Sequence, residues 1–223
     1  MAEYAGTAFF AMQTPTNELT VLPPLLFPPA AYFAAIIGSR RPCIVDTAMP
    51  YDKRRKAVHR YDIVDVRGKL SLTVPVGHPS GGRAWSDVPL SEHGEWWRRH
   101  RVALESAYGR TPFFEFLIDR FDSVFCPPSR WQSWPSASDL SVAALRAVCS
   151  FLAVDAPLAL PLSVVDPSAE IHDLRAHSFH DPDLPPYWQV RSASLGFVPT
   201  LSILDLLFNL GPESILYLRP LHA

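Results

Sequence analysis

Apolar and polar positions alternate along several short stretches of the chain, which predicts β-strands. The clearest alternation covers residues 70–76, where every second side chain is apolar: Leu70, Leu72, Val74 and Val76. Residues 58–66 alternate more weakly, and Arg67-Gly68-Lys69 separates the two stretches, so the pattern predicts a hairpin. A short apolar run predicts a buried strand at Cys43–Asp46. Further strands are expected at residues 8–12, 85–90, 158–165 and 187–191.

Helical spacing of apolar residues predicts about four to five helices. An apolar run at 30–37 follows Pro28-Pro29 and precedes Gly38, the arrangement typical of a helix with proline in its first turn. The other helices are expected at residues 91–108, 113–121, 138–153 and 201–210, with Ser91 and Ser138 as predicted N-caps. Residues 166–186 hold three His, four Asp and four Pro and are predicted to form a loop.

The order of these elements predicts an α+β fold, because strands and helices do not alternate regularly. We expect a mixed sheet with a central hairpin in a single compact domain. Residues 1–20 are predicted to be an irregular N-terminal extension, and residues 21–223 the domain itself.

Composition excludes several classes of protein. Hydrophobic residues make up 48% and charged residues 19%, so a disordered chain is not expected. The 20 basic and 22 acidic residues give a net charge of −2, which provides no general attraction to nucleic acid. No apolar stretch approaches the ~18 residues of a membrane span. The three cysteines show no metal-ligand spacing, and no signal peptide is evident, which favours a cytoplasmic location.

Histidines on the predicted helix 91–108 are candidates for acid–base chemistry. His93, His100 and Tyr108 share one face of this helix with apolar residues. His100 is therefore either a hydrogen-bonded core histidine or a general acid/base, and His93 is a second candidate. Seven residues of helix separate the two rings by about 10 Å, too far for one metal ion, so no metal site is predicted.

A basic run and a carboxylate in an apolar stretch are the other candidates. Residues 52–60 contain Lys53 and Arg60 and form either a solvated surface or a site for a phosphate or carboxylate. Asp205 lies among apolar residues, so it is either half-exposed or buried with a partner. It serves either as a structural cap near the start of the predicted helix or in catalysis, and Asn209 follows on the same helical face. Asp181-Pro-Asp183 is interpreted as an acidic turn rather than a metal site.

Several stretches together resemble the WbqC-like family of bacterial proteins. The residues that carry the resemblance are SEHGEWWRRHRVALESAYGRTPFFEF at 91–116, PYWQV at 186–190 and GFVPTLSILDLLFNLGPES at 196–214, with shorter blocks at Leu72–Val76 and Asp173–Arg175. The resemblance covers residues 20–218. This chain has Val58-His59-Arg60 where the family often carries Arg-Asn-Arg, so an anion held there would be held differently.

The family is associated with O-antigen gene clusters, and the resemblance implies a cytoplasmic enzyme of surface-polysaccharide biosynthesis. The implied reaction is acyl or aminoacyl transfer to an amino sugar, with a sugar nucleotide or amino sugar as the small-molecule substrate. The residues expected to act in catalysis are His100, His93 and Asp205. Those expected to bind substrate are Lys53, Arg60, Tyr108, Arg175, Tyr187 and Asn209. The sequence identifies no cofactor and no oligomeric state.

The alternative is a non-catalytic binding or scaffold protein of the envelope-assembly machinery. An exposed aromatic surface around Trp131 and Trp134 would favour this alternative. A polar pocket that unites His100, Arg60 and Asp205 would favour an enzyme, and wide separation of the three would argue against one.

Overall fold

The computed structural model describes residues 18–79, 81–126, 135–181 and 183–222. The strands are β1 (Glu18–Leu22), β2 (Cys43–Asp46), β3 (Arg60–Asp65), β4 (Gly68–Thr73), β5 (Leu158–Leu160) and β6 (Glu170–Asp173). The α-helices are α1 (Ala30–Gly38), α2 (Trp96–Tyr108), α3 (Phe114–Leu117), α4 (Ala137–Leu152), α5 (Ser192–Leu195), α6 (Ile203–Leu210) and α7 (Ser214–Leu218).

Four strands form a parallel sheet in the order β5-β2-β1-β6. Helix α1 connects β1 to β2, and Val21 of β1 lies opposite Ile44 of β2 and Asp173 of β6. Strands β2 and β5 thus lie on one side of β1, and the last strand, β6, lies on the other side of β1. Successive connections therefore diverge at the carboxyl ends of β1 and β6, where open parallel sheets leave a crevice.

Strands β3 and β4 form a separate antiparallel hairpin. The α+β fold and the hairpin are confirmed, and the strand at Cys43–Asp46 is confirmed with the predicted bounds. The parallel strands and the antiparallel strands belong to two different sheets. Gly68 begins β4 with φ of 110°, a conformation that favours glycine, and this permits the tight turn.

The helices agree with the sequence pattern except at some of their ends. Helix α1 is confirmed, extending one residue beyond its predicted end. Helix α2 begins at Trp96 and not near Ser91, because Gly94 and Glu95 have φ of 73° and 45° and interrupt the helix. The cap of α4 is Ser136, which accepts the Asp139 N–H, and not Ser138.

Two predicted strands do not form, and a third is shorter than predicted: residues 158–165 form β5 only at Leu158–Leu160, followed by a turn of 3-10 helix at Leu162–Val164. Residues Trp85–Asp87 form a turn of 3-10 helix, and no strand occurs at 187–191. Strand β6 lies inside the predicted loop; all four of its residues are exposed, so no apolar pattern indicated it. The structure also has a strand at β1, where the pattern indicated none. The strand expected at 8–12 lies outside the described residues.

The core joins the helices to the hairpin through aromatic side chains. The ring of Phe27 lies 5.2 Å from Tyr61, 5.5 Å from Phe121 and 5.7 Å from Phe125. Helix α6 is the most enclosed helix, with seven of its eight residues buried. Within the described part of the chain, no helix combines the length and apolar character needed to cross a membrane.

Candidate functional site

A cleft of about 490 Å³ opens beyond the carboxyl ends of β1 and β6. We call it the basic cleft. Its walls come from segments that follow β1, β2 and β6, together with the start of β3. The lining residues are Leu25, Asp52, Arg54, Arg55, Lys56, Ala57, Arg60, Asp62, Ala176, His177 and Ser178. The position is the one at which parallel sheets bind ligands, because diverging connections leave space between them.

The basic cleft carries an excess of positive charge. Four cations, Arg54, Arg55, Lys56 and Arg60, face two carboxylates, which gives 4 − 2 = +2. Arg54 forms an ion pair of 3.3 Å with Asp52. Among the described residues, the other three cations have no carboxylate within ion-pair distance. Such a surface attracts anions, and arginine binds phosphate or carboxylate with two hydrogen bonds.

Both carboxylates of the basic cleft already have partners. Asp52 accepts hydrogen bonds from the backbone N–H and guanidinium of Arg54, and these hold the pKa of Asp52 below its usual value. Asp62 accepts a 2.5 Å hydrogen bond from Ser71 and pairs with Lys69 at 2.9 Å. The carboxylates therefore leave Arg55, Lys56 and Arg60 available to a ligand.

The backbone beneath the cations is anchored to the core. Val58 is fully buried, and its carbonyl accepts a 2.7 Å hydrogen bond from Ser141 of α4. Arg55 donates to the carbonyl of Arg175, and Arg60 donates to the Thr73 hydroxyl at 2.8 Å. These contacts hold the basic segment against the hairpin and against the chain that follows β6.

Arg175 connects the ends of β2 and β6. Its guanidinium bonds Asp46 at 2.8 Å and Asp173 at 2.7 Å, and this pairing lowers the pKa of Asp173. Asp46 is almost fully buried, and its other oxygen accepts the N–H groups of Ala48 and Leu162 at 3.1 Å. The guanidinium of Arg175 is therefore used in ion pairs that stabilise the structure beside the basic cleft. Substrate binding by Arg175 stays a prediction.

A smaller cavity of about 140 Å³ adjoins the basic cleft, and we call it the inner pocket. Five residues line both spaces: Leu25, Ala57, Arg60, Asp62 and Ser178. The inner pocket adds apolar residues, one imidazole and three hydroxyl-bearing residues. These additional residues are Leu26, Phe27, Pro28, Pro29, Tyr61, His180, Thr200 and Ser202.

Left-handed backbone conformations border this pair of spaces. Phe27 and Thr200 line the inner pocket with φ of 43° and 61°, and Phe179, with φ of 54°, lies between two lining residues. Non-glycine residues seldom adopt positive φ, and a β-branched threonine is especially disfavoured there. Strained backbone of this kind is concentrated at functional sites, so the observation supports this region as the site.

The segment 177–180 contributes side chains to the walls of both spaces. Phe179 is buried against Tyr32, with ring centroids 4.8 Å apart, while His177, Ser178 and His180 are exposed. The Phe179 N–H donates to Nδ1 of His177 at 3.0 Å, so the neutral ring carries its proton on Nε2. Sequence reasoning missed these residues, although three histidines in one predicted loop were a visible signal.

His100 is buried behind the inner pocket and lines neither space. Its Nε2 lies 3.2 Å from the Thr73 carbonyl, which can only accept, so Nε2 carries the proton. Nδ1 then accepts from the Tyr61 hydroxyl at 3.1 Å. Burial lowers the pKa of His100 to about 4. Both nitrogens of His100 are engaged, which favours the core alternative. Exposed His93 lies on a turn of 3-10 helix and lines neither space.

Asp205 forms the centre of a buried polar network. Its Oδ2 accepts from the Tyr187 hydroxyl at 2.5 Å and from Gln189 at 2.9 Å. Burial raises the pKa of Asp205, and the hydrogen bonds from Tyr187, Tyr108 and Gln189 act against that rise. Asn209 donates to the Asp205 carbonyl and accepts the N–H of Val190 at 2.9 Å.

This network fixes the segment after Pro186 onto α6. Gln189 also exchanges two hydrogen bonds with the backbone of Val198, at 2.9 and 3.0 Å. The hydroxyl of fully buried Tyr108 accepts the Val64 N–H at 3.1 Å, which ties α2 to the hairpin. These contacts give Tyr187, Asn209 and Tyr108 structural partners, and their substrate-binding roles stay predictions.

Of the residues chosen from the sequence, only Arg60 lines the basic cleft and the inner pocket. Lys53 is exposed nearby but is outside the lining, and His100 and Asp205 line neither space. The polar pocket expected to unite His100 and Asp205 with Arg60 is therefore not formed by these two spaces, so an enzyme that used them would depend on other residues. In the described ranges, no group of three or more His, Cys, Asp or Glu is placed to hold a metal ion. Trp131 and Trp134 lie outside those ranges, so the scaffold alternative stays a prediction.

Comparison with known proteins identifies one family. The model of the WbqC-like protein family matches residues 24–174 and 172–217. These ranges include the basic cleft, the inner pocket and the network around Asp205. No curated protein and no solved structure shows significant similarity to the chain.

Proposed function

The chain belongs to the WbqC-like protein family, and from that premise we propose an enzyme of surface-polysaccharide biosynthesis that binds a phosphorylated or nucleotide-linked sugar in the basic cleft. The observation that carries the proposal is the group of three cations, Arg55, Lys56 and Arg60, that have no carboxylate partner among the described residues. They face a cleft at the carboxyl edge of a parallel sheet, where phosphorylated ligands bind in other folds of this kind.

The proposed reaction is acyl or aminoacyl transfer to the amino group of the sugar, in the cytoplasm. In this step the amine nitrogen forms a bond to the carbonyl carbon of an activated ester or thioester donor. The bond from that carbon to the donor oxygen or sulfur breaks, and a base takes the ammonium proton. His180 is the proposed base, because it is exposed in the inner pocket while both nitrogens of His100 are engaged.

A binding screen tests the proposal directly. Thermal-shift measurements with nucleotide sugars, amino sugars, acyl-CoAs and aminoacyl donors should give a stabilising ligand, since one present at 100 times its Kd adds about 2.7 kcal/mol. Calorimetry on the Lys56→Gln variant should then show weaker binding, because a charge-assisted hydrogen bond to phosphate is lost.

The matched control is Arg98→Gln, which removes one positive charge from an exposed position of α2 that lines neither the basic cleft nor the inner pocket. This variant should bind the ligand as the unmodified protein does. The proposal fails if no phosphorylated compound binds, or if Arg98→Gln weakens binding as much as Lys56→Gln.

A further inference from the structure

The basic cleft and the inner pocket differ in charge. The basic cleft has an excess of two positive charges, as counted above. In the inner pocket the carboxylate and guanidinium groups are Asp62 and Arg60, which gives 1 − 1 = 0. A ligand with an anionic end and a neutral end would therefore place its anionic end in the basic cleft.

Asp62 lines both spaces at their junction, where Arg60 balances its charge, so the excess of positive charge comes from residues that line the basic cleft alone. Its partners Ser71 and Lys69 fix the carboxylate in place. An anionic group therefore meets unbalanced positive charge only on the basic-cleft side of this junction.

The inner pocket offers the chemistry that recognises a sugar ring. The hydroxyls of Ser178, Thr200 and Ser202 and the imidazole of His180 line it. Ser202 accepts the Leu204 N–H, so its own proton can be donated to a ligand. The Tyr61 hydroxyl is engaged by His100, which leaves its aromatic ring as the contact surface. Hydroxyl groups beside the face of an aromatic ring can bind a ligand that carries many hydroxyls and one apolar side.

We infer that the two spaces bind the two ends of a glycosyl diphosphate. The inference rests on the proposed function and deepens it. The diphosphate lies in the basic cleft between Arg55 and Lys56, and the sugar ring occupies the inner pocket. Arg60 and Asp62 lie where the two ends meet. His180 belongs to the inner pocket only and recognises the sugar, while Lys56 belongs to the basic cleft only and recognises the diphosphate.

Titration calorimetry with inorganic pyrophosphate, UDP, UDP-glucose and UDP-N-acetylglucosamine tests the inference. At least one UDP-sugar should bind more tightly than UDP. Lys56→Gln should weaken pyrophosphate and the UDP-sugar alike, by about tenfold or more, since it removes a charged hydrogen bond. His180→Ala should weaken the UDP-sugar by about three- to tenfold and leave pyrophosphate unchanged, since it removes a contact to the sugar alone.

The control for His180→Ala is His78→Ala, an exposed histidine outside both spaces, which should change neither affinity. His180 is itself exposed, so its replacement is not expected to impair folding, and an unchanged Tm checks this. The inference is overturned if no UDP-sugar binds more tightly than UDP, or if His180→Ala weakens pyrophosphate equally. Absence of any pyrophosphate binding would instead overturn the proposed function together with the inference.

Discussion

The hydroxyl of Tyr187 donates a 2.5 Å hydrogen bond to Oδ2 of Asp205, a carboxylate with no exposed surface. This bond joins the two stretches of the C-terminal family resemblance, PYWQV at 186–190 and the segment 196–214. Gln189 and Asn209 complete the connection from either side. The residues that make the resemblance recognisable here thus hold the chain together, and the ligand-accessible charges lie elsewhere.

Removing the Tyr187 hydroxyl should destabilise the protein. Tyr187→Phe leaves the buried carboxyl group of Asp205 with one fewer donor, and a buried acceptor that loses its partner costs about 1–3 kcal/mol. Urea unfolding at pH 7 measures the change. Tyr217→Phe is the control: its hydroxyl bonds the neutral Pro185 carbonyl at the surface, so its loss should cost less. Equal costs for the two variants would contradict the structural role of Asp205.

The folded protein should become less stable as the pH is lowered, because of His100. Its pKa is about 4 in the folded protein and 6.5 in the unfolded chain. Between these values the unfolded chain binds more protons, so the contribution is complete above pH 6.5 and is lost as the pH falls toward 4. The shift of 6.5 − 4 corresponds to about 3 kcal/mol.

Urea unfolding at pH 7 and pH 4.5 measures this loss. The same pair of measurements on His100→Gln should show a smaller difference, because that side chain does not titrate. Burial also lowers the pKa of His59, so a part of the pH dependence should persist in the variant. A pH dependence unchanged by His100→Gln would show that His100 does not titrate as its contacts require.

Removing the cation between β2 and β6 should destabilise the sheet. Arg175→Gln leaves the buried carboxylate of Asp46 without its ion-pair partner, and breaking a buried pair costs about 3–5 kcal/mol. Thermal and urea unfolding report the loss. Asp173→Asn is the comparison, because that partner is much more exposed and its loss should cost about 1 kcal/mol or less. An Arg175→Gln variant as stable as Asp173→Asn would exclude this role.

Replacement by alanine should reduce the stability of the protein to different extents at two glycines with positive φ. At Gly211, φ is 53° and an added Cβ would lie 2.4 Å from the ring of Phe113. At Gly68, φ is 110° and nothing lies within 4 Å of an added Cβ. Gly68→Ala therefore carries backbone strain alone, about 1 kcal/mol or somewhat more. Gly211→Ala adds a steric clash and should lose more stability in the same unfolding assay; similar losses would contradict the packing at Phe113.

Local sequence patterns predicted the elements whose formation depends on nearby residues. Helix α1, strand β2 and the hairpin have clear periodicity and suitable flanking residues, such as Pro29 before α1 and Gly68 in the hairpin turn. Strand β6 was missed because an exposed strand carries no apolar alternation. The strand predicted at 187–191 was wrong because those residues make side-chain hydrogen bonds to α6 and do not pair with a strand.

The sequence by itself determined the fold class, the family and the presence of a basic run near Arg60. Only the tertiary structure decided which residues share a site. Arg55 reaches the carbonyl of Arg175 across 120 positions of the chain, and Asp46 meets the side chain of Arg175 across 129. Periodicity reports which face of an element is buried, whereas strand order determines which loops meet at one edge of a sheet. The order β5-β2-β1-β6 brings the basic segment against His177 and Ser178, and no local pattern contains that order.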